Sequence, residues 1–200
     1  MSKTANWNYP TSVRFGAGRI KELPALCQSL GMQRPLLVTD RGLGAAPITT
    51  ATLALLQDAG LGAAIFSDLK PNPVGANLDA GLAAYHAGKH DGVVAFGGGS
   101  GLDMGKLIAF MSGQARPVWD YEDVGDWWTR ADPKGIAPVI AVPTTAGTGS
   151  EATTVTVITD SKRHVKRLLV HDSLMPDLAI IDACLMLGVP PHVTAATGVD

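Results

Sequence analysis

Cysteine is scarce in this chain: its 200 residues include two, and neither Cys27 nor Cys184 has a companion at the spacing of a redox CxxC pair or a zinc knuckle. Both read as ordinary buried thiols. Charge of a single sign is lacking too. Sixteen Lys and Arg stand against 18 Asp and Glu, a formal net charge of −2, with no Lys/Arg run of the kind that tracks a phosphate backbone. Nucleic acid is therefore not an expected partner. Long hydrophobic runs are missing as well. No segment approaches the ~18 apolar residues that cross a bilayer, and the opening MSKTANWNYPTSVRFG has no apolar core of a signal peptide. The expectation is a soluble, cytoplasmic protein without a membrane partner.

What is present is alternation. At 46% hydrophobic the chain can bury a sizeable core. Short apolar runs at 35–39, 63–66, 92–96 and 137–142 read as strands, with helix-patterned segments 46–59, 76–87 and 102–111 between them. The runs are nearly continuous in apolar residues, which suits a mostly parallel sheet covered on both faces: a three-layer α/β fold. Leu78, Leu82 and Tyr85 recur at helical spacing and predict one sheet-facing stripe. Further on, 153–158 and 165–171 are β-rich and flank a turn at 159–162, so a β-hairpin is expected to embellish the sheet. The aromatic stretch from Trp119 to Trp128 reads as loop packing, with a substrate entrance as the alternative. Residues 188–200 look like a helix beginning without a stop signal. They imply that the chain is part of a longer design or is completed by a partner.

The most informative segment is AFGGGSGLDMGK at 95–106, where a strand-like run ends in three glycines and resumes as a helix. Glycines let a backbone approach a diphosphate, and the start of a helix offers unpaired N–H groups and a positive dipole end. Ser100 falls where an N-cap hydroxyl would sit. The order is neither GxGxxG nor GxxxxGK[ST], so on residue types alone a tight strand-to-helix connection without a ligand competes with a phosphate site. Lys106 shares a helix face with Asp103, and an i,i+3 ion pair is as good a reading for it as a ligand contact.

Three motifs, GGGSGLDMGK at 97–106, PTTAGTGSE at 143–151 and PPHVTAATGVD at 190–200, together resemble the iron-containing, or group III, alcohol dehydrogenases. VTD at 38–40, PNP at 71–73 and ITD at 158–160 extend the likeness over essentially the whole chain. The resemblance implies a Rossmann-like NAD-binding α/β domain over 1–187 and, over 188–200, the start of a helical metal-binding domain. It implies an NAD-dependent enzyme that moves hydride between a small alcohol or aldehyde and nicotinamide. It also implies that Gly98, Gly99, Ser100 and Asp103 lie along the diphosphate and nicotinamide-side ribose, with Thr144, Thr145, Thr148, Lys166 and Leu185 also at the cofactor. Asp40 ends a strand, where a carboxylate accepts from ribose hydroxyls and repels a 2′-phosphate, which favours NAD over NADP. An N-cap for the next helix is its competing reading. For PTTAGTGSE the local chemistry alone gives a capped helix start, and for Lys166 a solvated lysine.

The resemblance maps the family's first metal ligand onto Asp200 and puts the remaining ligands, three histidines, beyond it. Fe(II) is implied, with zinc or manganese as alternatives. His86 and His90 form an i,i+4 pair, but a place near a helix C-terminus accounts for them better than a metal does. The 1–200 polypeptide alone is therefore expected to lack dehydrogenase activity. A metal-independent maleylacetate reductase, a zinc glycerol dehydrogenase and a non-catalytic nucleotide-binding module are the rival readings. The resemblance also implies N-terminal strands paired across a homodimer, with Ser12–Phe15 as the candidate edge strand.

Overall fold

The alternating runs fold into three layers in a computed structural model that describes residues 4–8 and 11–199. Its strands are β1 (Ala5–Asn8), β2 (Ser12–Phe15), β3 (Pro35–Val38), β4 (Ala64–Phe66), β5 (Gly92–Gly97), β6 (Val139–Pro143), β7 (Val155–Asp160), β8 (Val165–Val170) and β9 (Leu178–Ile181). The α-helices are α1 (Leu23–Ser29), α2 (Pro47–Asp58), α3 (Gly75–Ala87), α4 (Gly99–Met111) and α5 (Pro191–Thr197). Seven strands form one sheet in the order β1-β2-β9-β6-β5-β3-β4. Every neighbouring pair is parallel except β1 with β2.

Successive side chains of a strand point to opposite faces, and that rule divides the core in two. Leu36, Val38, Val93, Ala95, Val139 and Ala141 meet Leu78, Tyr85, Leu102 and Leu107 of α3 and α4. On the other face, Leu37, Val94, Phe96, Ile140 and Val142 meet Leu23 and Cys27 of α1 and Leu56 of α2. Both faces are covered, so the strands read as continuous apolar runs. The expected stripe on α3 is present: Leu78 and Tyr85 are buried, and Leu82 packs against the same cluster. Burial also pushes the Cys27 thiol up to about 12. Cys184, by contrast, is exposed, which corrects the expectation that both thiols are buried.

Helix α4 lies closest to the sheet. A Cβ at Gly105 would sit 2.5 Å from Ala95 Cβ, so Gly105→Ala is expected to overpack the layer at a cost of about 1–3 kcal/mol. The hairpin of β7 and β8 packs over the outer side of α4 through Ile158 and Leu169. Its turn falls at 161–164, two residues later than expected, because Asp160 Oδ1 accepts from the N–H of Lys162 (3.0 Å) and of Arg163 (3.1 Å).

Other departures have equally local causes. The PTTAGTGSE segment does not start an α-helix. Gly149, at φ 65, leads only into a 3-10 turn, Ser150–Ala152, before the chain extends into β7. Ser12–Phe15 is not an edge strand, since β1 pairs on one side of it and β9 on the other. In the aromatic stretch Trp119 packs on the core, as expected, whereas Trp128 is 54% exposed. His90 Nδ1 lies 2.7 Å from the Arg34 carbonyl oxygen, and Lys89, at φ 49, takes the backbone out of the helix between the two histidines. Among the described residues no helix is long and apolar enough to cross a membrane.

Candidate functional site

The strand order fixes where a ligand can enter. From β3 the chain moves outward to β4, then returns to the opposite side of β3 as β5 and continues to β6. Between β3 and β5 the direction of the fold reverses, and in open α/β sheets such a switch point opens a crevice at the carboxyl ends of the strands. Asp40 follows β3 there, Gly98–Ser100 follow β5, and Thr144 and Thr145 follow β6.

Gly97, at φ 135, turns the chain sharply out of β5. Gly98 is the N-cap of α4 and brings no side-chain hydrogen bond. The first N–H groups of an α-helix have no partner within it, so the crevice receives donors and the positive end of the dipole. The helix begins at Gly99, three residues earlier than the apolar pattern implies, and Ser100 lies inside its first turn. It is not the N-cap. The glycines are matched to the next loop: a Cβ on Gly98 would stand 3.3 Å from Thr145 Oγ1, and one on Gly99 3.3 Å from Thr148 Cγ2. Thr39 Oγ1 is buried without a partner at the same strand ends.

Two clefts meet at this helix start. The first, of about 530 Å³, has Asp40, Gly98, Thr144, Thr145 and Leu185 in its lining beside apolar Leu43, Ala46, Pro47, Ile48 and Val189. The second, of about 770 Å³, has Gly99, Ser100, Asp103, Thr148 and Lys166 with Asn72, Pro73, Ser150, Val157, Thr159 and Leu168. The nine cofactor residues expected from the resemblance and Asp40, expected from its own chemistry, thus come together, five in each cleft. Asp200, the expected metal ligand, lies outside the described residues.

The charged side chains at the clefts sit in different environments. Asp40 Oδ1 accepts from Leu43 N–H, three residues on, at 3.1 Å, while the N-cap of α2 is Ala46. Capping α2 is therefore not its role. Asp103 is half-buried; its Oδ2 accepts from Val157 N–H at 3.2 Å. Burial raises its pKa, with Lys106 and the hydrogen bonds from Ser150 and Val157 opposing that shift. Lys106 answers to neither reading made from sequence. It is 1% exposed, and Nζ donates to the carbonyl oxygens of Ser150 (3.0 Å), Thr153 (2.9 Å) and Val155 (2.6 Å) and to Thr153 Oγ1 (3.1 Å). Lys166 is exposed yet lines the second cleft opposite Thr159, so solvation and a place at the cleft hold together.

The sequence reading missed the apolar wall at 43–48 and Asn72. A signal existed for Asn72: it precedes Pro73 and adopts φ 52, a left-handed conformation that Asn tolerates better than most residues.

A parallel α/β sheet whose switch point meets an uncapped, glycine-led helix defines a Rossmann-like domain with a crevice for an anionic ligand. The relatives narrow that class. A sequence model for iron-containing alcohol dehydrogenase matches residues 10–183. The NAD-dependent methanol dehydrogenase of Bacillus methanolicus is 34% identical over 195 residues, 98% of this chain and 50% of that protein. A crystal structure of 1,3-propanediol oxidoreductase superposes with a TM-score of 0.88 at 36% identity, covering 100% of this chain and 50% of that one. Sulfoacetaldehyde reductase from Bifidobacterium kashiwanohense, solved in complex with NAD+, gives 0.83 at 34% identity, covering 100% and 51%. The chain belongs to the iron-containing alcohol dehydrogenase family. It spans about half the length of the curated relatives it matches.

Among the described residues no group of three or more His, Cys, Asp or Glu is placed to hold a metal ion.

Proposed function

We propose that this chain is the NAD-binding part of an alcohol dehydrogenase that passes hydride between a small alcohol or aldehyde and nicotinamide. One observation carries the reading: the uncapped start of α4 opens at the switch point between two clefts lined by Asp40, the glycine loop, Thr144, Thr145, Thr148, Asp103 and Lys166. The crevice fits the group, because its glycines leave space where a Cβ would crowd Thr145 and Thr148, and its helix start leaves N–H groups for phosphate oxygens.

The apolar first cleft takes the adenine, with Asp40 accepting from the adjoining ribose hydroxyls. The first turn of α4 takes the diphosphate. Asp103, acceptor-only when ionised, and Lys166 face the nicotinamide half in the second cleft. Bound NAD supplies the hydride acceptor; this chain's residues hold and orient it. Proton removal from the alcohol falls to groups that the described residues do not include. The reading of Fe(II) at Asp200, with zinc or manganese as alternatives, rests on the resemblance alone.

Calorimetric titration of the protein with NAD, NADP and AMP tests the proposal. Saturable binding of NAD in preference to NADP supports it; absence of any nucleotide binding overturns it. The 1–200 polypeptide is expected to show no alcohol-dependent NADH formation, whereas the whole protein that carries it shows such activity.

A further inference from the structure

Lysine is almost never fully buried without partners, and Lys106 has four oxygens around one amine. Three of them, on Ser150 and Thr153, belong to a connection with little other fastening, and the fourth is the carbonyl of Val155 at the start of β7. Between β6 and β7, among the described residues, backbone hydrogen bonds outside helices and strands are few: Thr144 N–H to the Gly97 carbonyl, Ala152 N–H to that of Gly149, and His171 N–H to that of Thr154. The connection has a 3-10 turn and no ladder to hold it. An amine reaching from the buried side of α4 supplies that hold.

We propose that Lys106 is a positioning residue of the cleft: its amine fixes the turn at 150–155 and thereby sets the spacing between the threonine loop and the glycine loop. The front of the same connection carries Thr145 and Thr148, whose side chains already lie within about 3.3 Å of where a Cβ on Gly98 or Gly99 would be. A small outward drift of the turn opens that gap; an inward one closes it. Asp103, one helical turn before Lys106, also holds β7: its Oδ2 accepts from Val157 N–H and its backbone carbonyl from Thr156 Oγ1. Helix α4 therefore offers its N-terminus to the ligand and fastens the opposing wall with two side chains of its own. Asp103 and Glu151 are the carboxylates that face the amine electrostatically. The consequence for nucleotide affinity rests on the cofactor reading; the fastening itself does not.

The test compares Lys106→Met and Thr153→Val in the whole protein that carries this chain. Thr153→Val removes one of the four acceptors and is the milder change. Without nucleotide, amide hydrogen exchange over 150–157 is expected to rise about tenfold or more in Lys106→Met and less in Thr153→Val, as loss of a charged buried donor implies. With NAD, KM is expected to rise about tenfold while kcat stays within about twofold, the pattern of lost uniform binding. Unchanged exchange overturns the proposal, and so does raised exchange with unchanged NAD affinity. If Lys106→Met does not fold, Thr153→Val is judged by the same two readouts at smaller amplitude. If the unaltered protein binds no NAD, the cofactor reading falls, and exchange alone decides whether Lys106 holds the wall.

Discussion

The two clefts share one helix start and differ in almost everything else. The first is walled by Leu43, Ala46, Pro47, Ile48, Leu185 and Val189, with a single carboxylate, Asp40, at its side. The second is walled by Asn72, Ser100, Asp103, Thr159 and Lys166, and the hairpin forms its far side. An apolar slot with one acceptor suits a flat base and its ribose. A polar trough with charges of both signs suits a diphosphate and an amide-bearing ring. The contrast gives the crevice a direction, from β3 toward the hairpin, with the α4 start, beside the threonine loop at 144–150, as the element common to both ends.

Breaking that common element has the largest expected effect. Gly99→Val puts a branched side chain in the gap now closed by Thr148, across the path between the clefts. NAD affinity is expected to fall by about 100-fold or more. AMP, held in the first cleft, is expected to lose far less. Calorimetry with both ligands reads the difference, and an equal loss for the two would show that the clefts are not the two ends of one site.

Stability against pH isolates the second cleft's support. Burial pushes Lys106 down to about 8 from 10.5, with Asp103 and Glu151 pulling against it. Between those values the folded chain has released a proton that the unfolded chain still holds, so unfolding takes one up and stability rises with pH. Lys106 alone contributes a gain of roughly 1–3 kcal/mol between pH 7.5 and 10.5, read as the difference from Lys106→Met because the raised Cys27 thiol pulls stability the other way above pH 9. Lys106→Met is expected to flatten the rise. Urea unfolding of both proteins at the two pH values measures it.

Asp40 sharpens the first cleft. Its Oδ1 is already held by Leu43 N–H, which fixes the carboxylate at the mouth of the slot. Asp40→Asn keeps the shape and removes the charge that repels a 2′-phosphate, so the preference for NAD over NADP is expected to fall about tenfold. Comparable affinities for the two cofactors in the unaltered protein would sink the role given to Asp40.

How much of this was readable beforehand depended on whether a residue's partners are local. The layers were readable because strands buried on both faces leave continuous apolar runs such as VVAF at 93–96. Ten cleft residues were named, nine of them through motif order, which stands in for contacts made across three strand ends. Lys106 was not readable: its oxygens lie 44 to 49 residues away in sequence, whereas Asp103 at i−3 is the partner a helix pattern displays. The start of α4 is hidden from the pattern for a related reason. Glycine-led first turns carry no apolar residue, so periodicity registers the helix only from Leu102.

The smallest expected effect belongs to Lys166, and it completes the contrast. Exposed on β8 opposite Thr159, it meets any phosphate or ribose through water-screened attraction, whereas Asp103 and the helix start act from a partly buried position. Lys166→Met is expected to weaken NAD binding only about two- to fivefold at low ionic strength, and the difference should fade as salt approaches about 1 M, where the Debye length shrinks to ~3 Å. AMP in the apolar cleft should be indifferent to the substitution at every salt concentration. A salt-independent loss would mean that Lys166 is enclosed when NAD binds. The hairpin would then be a moving wall of the second cleft, with no counterpart at the first.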